Sequence, residues 1–543
     1  MSASSKKKLR NEQIAAKLTE RQVAEQKEAK KLKLYTATFV VVLVVLLVIA
    51  VTVGVTQTIN NSGMREKNTV AMTIGDHEIS NAELNYYYMS TVNNFYSQNG
   101  SYAAMFGLDV TKPLDEQMMD EATGQTWADY FLESAKASAV SVYALKDAAA
   151  AAGHTLSEDL QAAADTTIEN MELYSTIYGY TDKEGYLKAM YGKGADMESF
   201  RSYVEDTLLA DDYQAAYGES LTYDDAALRA AEKENFDAYS AFTYNYYHLP
   251  VTKFQNGGTT AEDGTTTYSD EEKAAAVAAC EETAKILTGE EITSVEELDA
   301  AIAALGINAD NNAAASTFYE DNAYSYIAAP VAEWLSNDSR KEGDLTYIAN
   351  STTDADGNEV INGYYIVYFH SVNDNKFALK NVRHILVNFE GGTADETTGA
   401  VTYSDEEKAA AKAEAEEILA GFAAGEATEA AFAALAAEKT DDTGSAANGG
   451  LYEDIYPGQM VANFEDWCYA DHKAGDTGIV ESEYGYHIMY FVGDSNVTYR
   501  DYQITNQLRS TDLNDWYTAL TSSVEAEEID TKYINKSLIL SAN

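Results

Sequence analysis

Two short stretches, NVRHILVNF (residues 381–389) and GYHIMYF (residues 485–491), decide the predicted fold of the segment that they enclose. Both are rich in β-branched and aromatic residues, which favour strands. Each carries one histidine, His384 and His487. The segment between them is Ala-rich and has the apolar spacing of helices. This order predicts an α+β module built from an opening strand, helices and a closing strand.

The same order occurs earlier in the chain. The motif YSDEEKAAA occurs at residues 268–276 and again at 403–411, and a repeat of this kind indicates duplicated modules. In each copy a serine and the glutamate three residues later form a capping box that opens a helix. The two boxes are Ser269 with Glu272 and Ser404 with Glu407. We therefore expect two related modules, a first at residues 240–375 and a second at 379–494.

The two copies differ at polar positions. The opening strand of the first module contains a histidine, His248, but its closing strand GYYIVYF has Tyr365 where the second module has His487. Aligning Trp334 with Trp467 pairs two further positions, Ile327 with Met460 and Val331 with Phe464. The first module is therefore expected to be a degenerate copy that serves as a binding surface or a spacer.

Residues 65–239 precede the repeat. VAMTIGDHEIS, from Val70, predicts two short strands around a Gly-Asp turn, and a helix capped near Ser80 or Asn81 follows. Amphipathic helices continue to about Tyr239. Residues 495–543 are expected to form a C-terminal helix and tail.

The N-terminus carries a strong membrane signal. Residues 35–57 include 21 consecutive uncharged residues, Tyr35 to Val55, long enough to span a bilayer as a helix of about 30 Å. Residues 1–34 contain ten Lys or Arg against four Glu, so the positive-inside rule keeps this tail in the cytoplasm. We expect a single-pass anchor with the bulk of the chain outside the cytoplasm. The alternative is a buried core helix.

Charge and composition exclude several classes of protein. The formal net charge of the 543-residue chain is -51, which repels phosphates and disfavours a nucleic-acid partner. Hydrophobic residues make up 46% of the chain, enough for real cores. With only two cysteines, Cys280 and Cys468, no structural zinc cluster is suggested. We expect neither a metal nor a cofactor.

The second module resembles the parvulin family of peptidyl-prolyl isomerases. The resemblance rests on NVRHILV, TDDTGSAANGG (440–450), GQMVANFED (458–466) and YGYHIMYF, which follow one another in family order. It implies an antiparallel sheet flanked by helices and a site that rotates X-Pro bonds. One departure is clear: the family motif Gly-Gly-Asp-Leu-Gly stands here as GGLYE, residues 449–453.

The same resemblance implies roles for single residues. His384 and His487 correspond to the paired histidines at the floor of the parvulin site, and Asp442 corresponds to the Cys or Asp near the substrate carbonyl, with Asp441 as the alternative carboxylate. The expected substrate-binding residues are Met460, Phe464, Gln459, Leu451 and Tyr484. Simpler interpretations stay open. Either histidine could be an ordinary buried side chain, Asp442 a turn residue, and the Met460 and Phe464 pair a core stripe.

The architecture before and after the modules is similar to that of SurA-like and PrsA-like foldases, whose helical chaperone domain is completed by a helix after the isomerase domain. The resemblance implies such a domain at residues 65–239, completed by 497–536. The predicted function is an extracytoplasmic foldase that holds unfolded secreted proteins and isomerises their X-Pro bonds. The alternatives are a catalytically inactive holdase or scaffold, and a surface adhesin. The sequence leaves the oligomeric state and the residue preferred before proline open.

Overall fold

The computed structural model describes residues 62–306, 314–394 and 400–540, together with 6–8 and 10–11. The chain divides into two compact units, a terminal unit of Met1–Leu221 with Asp512–Asn543 and a central unit of Thr222–Thr511. The predicted membrane span, residues 35–57, lies outside the described residues. Within the described ranges, no helix is both long and apolar enough to cross a membrane.

The terminal unit is mainly helical. Its elements before the central unit are α1 (Met64–Asn68), β1 (Val70–Ile74), β2 (His77–Ser80), α2 (Asn81–Asn99), β3 (Met118–Asp120), β4 (Gln125–Thr126), α3 (Trp127–Ala152), α4 (Glu158–Ile177), α5 (Lys183–Tyr191) and α6 (Met197–Ser220). The predicted pair of short strands is confirmed, and Ser80 caps α2 by accepting a hydrogen bond from the backbone N–H of Glu83 at 3.1 Å.

The C-terminal tail completes the terminal unit. The strand Ala526–Glu528 pairs antiparallel with β1. Further along, Ile534 and Leu538 are buried in the same core as the aromatic side chains of α2 and α3. Asn81, on the first turn of α2, holds the tail in place because its side-chain amide donates to the Asp530 carbonyl at 2.7 Å. The core of this unit therefore includes residues from both ends of the chain.

The first module of the central unit is a four-stranded antiparallel sheet with strand order β8-β5-β10-β9. The central unit begins with α7 (Asp225–Glu234), and the elements of the module are β5 (Ala241–Pro250), β6 (Thr259–Thr260), β7 (Thr266–Thr267), α8 (Asp270–Leu287), α9 (Val295–Ala304), β8 (Thr317–Ala323), α10 (Ala329–Leu335), β9 (Leu345–Thr353) and β10 (Glu359–Asn373). The predicted capping box of α8 is present.

The second module repeats this plan, with strand order β14-β11-β16-β15. Its elements are β11 (Ala378–Asn388), β12 (Thr393–Ala394), β13 (Val401–Thr402), α11 (Asp405–Ala424), α12 (Glu429–Lys439), β14 (Leu451–Ile455), α13 (Ala462–Tyr469), β15 (Thr477–Glu481) and β16 (Gly485–Thr498), after which α14 (Tyr499–Ser522) leaves the module. The capping box of α11 is also present. The prediction of a multidomain α+β protein with antiparallel sheets is confirmed.

Strand alternation gives the second sheet two different faces. Successive side chains of a strand point to opposite faces, so Ile385 and Ile488 lie in one core with α11 and α12. Val382 and Met489 lie in a second core, which includes Phe464 of α13. His384 and His487 share the parity of this second set. They are therefore placed on the face of the sheet that α13 covers.

Candidate active site

The two histidines of the second module lie on adjacent central strands. His384 pairs with Met489 and His487 pairs with Leu386, so the imidazoles are diagonal neighbours. Their Nδ1 atoms are 3.1 Å apart and the rings are nearly parallel, at 26°. Both side chains are buried, with residue exposures of 3% and 5%. The structure therefore brings together the two histidines that the sequence singled out.

Asp442 reaches this pair from the loop after α12. Its Oδ2 lies 2.9 Å from Nε2 of His384. The neighbouring Asp441 is used differently, because its Oδ2 accepts the backbone N–H of Asn388 at 2.9 Å at the end of β11. Of the two carboxylates that the sequence left open, Asp442 is the one that contacts a histidine.

Four groups donate hydrogen bonds to the Asp442 carboxylate. Oδ2 accepts from His384, Ser445 and Tyr452, the last at 3.0 Å, and Oδ1 accepts the N–H of Gly444 at 3.0 Å. Burial alone would raise the pKa of Asp442. The bonds from Ser445, His384, Gly444 and Tyr452 outweigh burial and lower that pKa to about 2. Asp442 is therefore an anion at neutral pH.

An anionic Asp442 sets the tautomer of both imidazoles. A carboxylate only accepts, so Nε2 of His384 carries the proton that is donated to Asp442. Nδ1 of neutral His384 is then an acceptor, which requires His487 to donate from its own Nδ1. Nε2 of His487 is left to accept the hydroxyl of Ser482, 2.7 Å away. The result is one directional chain of hydrogen bonds, from Ser482 to Asp442.

Burial keeps both histidines of this hydrogen-bond chain uncharged. It lowers the pKa of His384, against the opposing effect of Asp442. Burial and then repulsion from a charged His384 lower the pKa of His487 to about 4. Because Nδ1 faces Nδ1, protonation of both rings would also place two donors against each other. The pair is therefore an uncharged, tautomerically fixed floor at neutral pH.

An apolar wall stands beside this floor. The ring of Phe464 packs edge-on against both imidazoles, with centroids 5.4 Å from His384 and 5.3 Å from His487. Met460 and Tyr452 pack against the same cluster and are partly exposed. The arrangement combines a fixed anion, two neutral imidazoles and an apolar surface.

The other three predicted substrate-binding residues are Leu451, Gln459 and Tyr484. Leu451 precedes Tyr452 in β14, so alternation directs it to the opposite face of the sheet. Gln459 is exposed, and its Oε1 accepts the N–H of Tyr456 at 3.1 Å. Tyr484 is 57% exposed, and its N–H donates to the Ser482 hydroxyl at 3.2 Å.

Three residues of the network were missed from the sequence: Ser445, Ser482 and Tyr452. Hydroxyl groups are frequent in loops and strands, and their partners depend on tertiary contacts. One signal was present for Tyr452, since it lies in GGLYE, where the chain departs from the family motif. That departure marked the place where this chain has its own polar contact.

The first module has tyrosines at the positions of the histidine pair. Gly363 and Gly485 begin equivalent stretches of β10 and β16, which places Tyr365 at the position of His487. In the second module, His384 lies two residues before Leu386, the partner of His487. In the first module, Tyr246 lies two residues before His248, the partner of Tyr365, so Tyr246 occupies the position of His384. The rings of Tyr246 and Tyr365 are 5.4 Å apart.

His248 is therefore not the counterpart of His384, although both stand in opening strands. It pairs directly with Tyr365, two residues beyond Tyr246 on the same face of β5. Its Nε2 lies 3.1 Å from the amide of Asn350, and burial lowers its pKa. A two-residue offset preserves the alternation of a strand, so the pattern of the sequence could not reveal it.

Comparisons with known proteins agree with this geometry. Residues 384–493 match the family model described as "Rotamase: PPIC-type PPIASE domain". Two curated relatives, each named "Foldase protein PrsA 1", come from Listeria innocua serovar 6a and Listeria monocytogenes serovar 1/2a. Each is 34% identical over 110 residues, covering 19% of this chain and 36% of the relative. The chain thus spans about a third of the length of these relatives. The resemblance of the second module to parvulin-type isomerases is confirmed.

Two solved structures are also similar to parts of the chain. PrsA from Bacillus anthracis is 22% identical, with 28% of this chain and 59% of that chain covered and a TM-score of 0.18. PrsA from Bacillus subtilis is 16% identical, with 77% of this chain and 95% of that chain covered and a TM-score of 0.24.

Proposed function

We propose that this chain is a membrane-anchored extracytoplasmic foldase whose second module catalyses cis/trans isomerisation of X-Pro bonds in newly secreted, unfolded proteins. The observation that carries the proposal is the directional chain from Ser482 through His487 and His384 to the Asp442 anion. It lies beside the apolar wall of Phe464, in the segment that matches the isomerase model.

The chemistry asks for such a site because no covalent bond has to be made. Amide resonance gives the X-Pro bond a rotational barrier of about 18 to 20 kcal/mol. In the planar amide the carbonyl oxygen carries partial negative charge, and that charge is reduced when the bond twists. A fixed anion near the oxygen disfavours the planar form more than the twisted form. Lowering the barrier by about 5 kcal/mol accelerates rotation by roughly 10³ to 10⁴.

In this proposal each part of the site has one task. The proline ring lies on Phe464 and Met460, which exclude water, and Asp442 faces the carbonyl of the preceding residue. His384 and His487 hold the carboxylate in place without adding charge of their own. Tyr484 and Gln459, both exposed, contact the client chain beyond the proline.

The anchor and the helical part complete the proposal. Residues 35–57 would hold the chain at the outer face of the membrane, with the basic tail 1–34 inside. Residues 65–239, completed by 497–536, would form the chaperone domain. Exposed apolar side chains on α4, Leu173 and Ile177, with Tyr178 just after its end, offer a surface to unfolded clients.

The enzymatic part is tested by replacing Asp442 with asparagine in the full chain. This change keeps an acceptor for His384 and removes the charge, so isomerisation of a proline peptide should fall by about tenfold or more. The matched control is Asp441→Asn, which removes a neighbouring charge of the same type. Turnover by Asp442→Asn equal to wild type would defeat the electrostatic mechanism, and a wild-type rate equal to background would defeat the isomerase function.

A holdase without useful isomerase activity is the second candidate, and the exposed apolar side chains of the terminal unit favour it. The full chain should delay aggregation of an unfolded protein, and exchange of Leu173 and Ile177 for serine should weaken that effect. Exchange of Leu173 and Ile177 without any loss of protection would place client binding elsewhere.

A further inference from the structure

Tyr452 is the residue of the site that the family motif does not explain. The chain has tyrosine where the motif Gly-Gly-Asp-Leu-Gly has leucine. In β14, Tyr452 pairs with Val382 of β11, which lies two residues before His384 on the same face of the strand. Alternation therefore directs the Tyr452 side chain to the face of the sheet that carries the histidines.

The contacts of Tyr452 join both parts of the site. Its ring centroid is 5.2 Å from that of His384, and the ring packs on the same apolar cluster as Phe464. Its hydroxyl donates to Oδ2 of Asp442 at 3.0 Å. A leucine would keep the apolar contact and lose the hydrogen bond.

The hydrogen bonds to Asp442 are unequally shared between its two oxygens. Oδ2 accepts from three side chains, those of His384, Ser445 and Tyr452, whereas Oδ1 accepts the backbone N–H of Gly444. A carboxylate has about two lone-pair sites on each oxygen. Oδ1 is therefore the oxygen whose negative charge is less neutralised by hydrogen bonds and can act on the carbonyl of a client X-Pro bond.

We propose that Tyr452 is a positioning residue: its hydroxyl fixes the orientation of the Asp442 carboxylate, so that Oδ2 is held by the protein and the charge of Oδ1 faces the carbonyl of the client X-Pro bond. The inference deepens the proposed isomerase function of the same site and rests on it for its catalytic meaning. Tyr452 acts through Asp442, and its ring adds a second aromatic wall beside Phe464.

The repeat supports a task specific to the second module. Tyr319 holds the matching place in the first module, because it pairs with Tyr244 as Tyr452 pairs with Val382. There the tyrosine ring stacks on Tyr244, with centroids 5.2 Å apart and planes at 19°. Both modules thus have an aromatic residue at this position, and in the second its hydroxyl is turned to the active-site carboxylate.

The test is to exchange Tyr452 for phenylalanine in the full chain and follow His384. With [15N]histidine the chain gives signals from only seven residues, and the His384 signal is the one lost in His384→Gln. A carboxylate with one donor fewer attracts the imidazolium more strongly. His384 should therefore titrate at a pH higher by about half a unit or more in Tyr452→Phe.

The matched control is Tyr486→Phe. The Tyr486 hydroxyl also donates to a carboxylate, Glu481 at 2.9 Å, but on the opposite face of the sheet. This variant should leave the His384 titration unchanged. If Tyr452→Phe fails to fold, Tyr452→Leu has the residue of the family motif and should show the same shift.

Kinetics distinguish a positioning role from a structural one. Tyr452→Phe keeps the ring, so KM for a proline peptide should stay within about twofold, while kcat falls by about three- to tenfold. An unchanged His384 titration, or a shifted titration with unchanged kcat, would overturn the inference. A wild-type chain that isomerises no proline peptide would defeat the proposed function, and with it the catalytic part of this inference. The histidine titration would still decide whether Tyr452 orients Asp442.

Discussion

The first and second modules of the central unit have the same strand order and the same capping boxes, but they differ in the side chains on one face of the sheet. In the second module that face has two hydrogen-bonded histidines, and in the first it has Tyr246 and Tyr365 in their places. The comparison shows that the fold depends on alternation and caps. The polar part of the site depends on His384 and His487, which the first module replaces by tyrosines while keeping the same fold.

The apolar wall should show the largest difference between the modules. Phe464 is buried against both imidazoles, whereas its counterpart Val331 is a smaller buried side chain. Phe464→Ala should destabilise the second module by about 3 to 5 kcal/mol, and Val331→Ala should cost the first module clearly less. Hydrogen exchange of β16 and β10 measures the two modules separately. Equal losses would mean that Phe464 contributes nothing beyond an ordinary core residue.

The histidine pair should make the second module sensitive to acid. The pKa of His487 is about 4 when folded, below the ordinary 6.5, so the unfolded state binds more protons between these values. The stability from neutral His487 is present above about pH 6.5 and is lost as the pH falls towards 4, by about 3 kcal/mol. Asp442, whose folded pKa is about 2, adds a loss between about pH 3.8 and 2.

This pH dependence is measured by amide hydrogen exchange of β16 between pH 7 and pH 4. The first module shares the direction, because burial also lowers the pKa of His248. His248 pairs with the amide of Asn350, so no second imidazole charge opposes its protonation there. The loss in β10 should therefore be smaller than in β16. If the stability read from β10 and from β16 fell equally with pH, the histidine pair would not be the cause of the acid sensitivity.

The capping boxes should show the smallest effect and no difference between the modules. Ser269 and Ser404 both accept the N–H of the glutamate three residues later, and that glutamate bonds back to the serine N–H. Exchange of either serine for alanine should cost about 1 kcal/mol in its own module. A large loss of stability in one module alone would show that the capping box contributes differently to the two copies.

Much of this could be predicted from the sequence because the signals were local. The repeat of YSDEEKAAA predicted two modules with capped helices, and the β-branched and aromatic residues of the opening and closing strands predicted their sheets. Family motifs brought His384, His487 and Asp442 to one place, where the structure shows them in contact. The choice between Asp441 and Asp442 needed the loop geometry, since adjacent residues in a turn carry no periodic signal.

The other contacts depend on tertiary packing. Ser482 and Ser445 take part through hydroxyl groups that reach across the fold, and a sequence gives no spacing rule for such partners. The sequence favoured Leu451 over Tyr452 as a site residue. Which of the two points to the histidine face depends on how β14 pairs with β11, and a strand of five residues does not show its pairing in the sequence. The position of Tyr246 was hidden because a two-residue shift leaves the alternation intact.

The most direct test of the central claim compares His487→Ala with Tyr365→Ala in the full chain, in one assay of proline-peptide isomerisation. Loss of His487 removes the Nδ1–H that donates to Nδ1 of His384 and so loosens the histidine that holds Asp442, and kcat/KM should fall by about a hundredfold. Tyr365→Ala, at the equivalent position of the first module, should leave kcat/KM at the wild-type value. Full activity in His487→Ala, or an equal loss in both variants, would contradict the account.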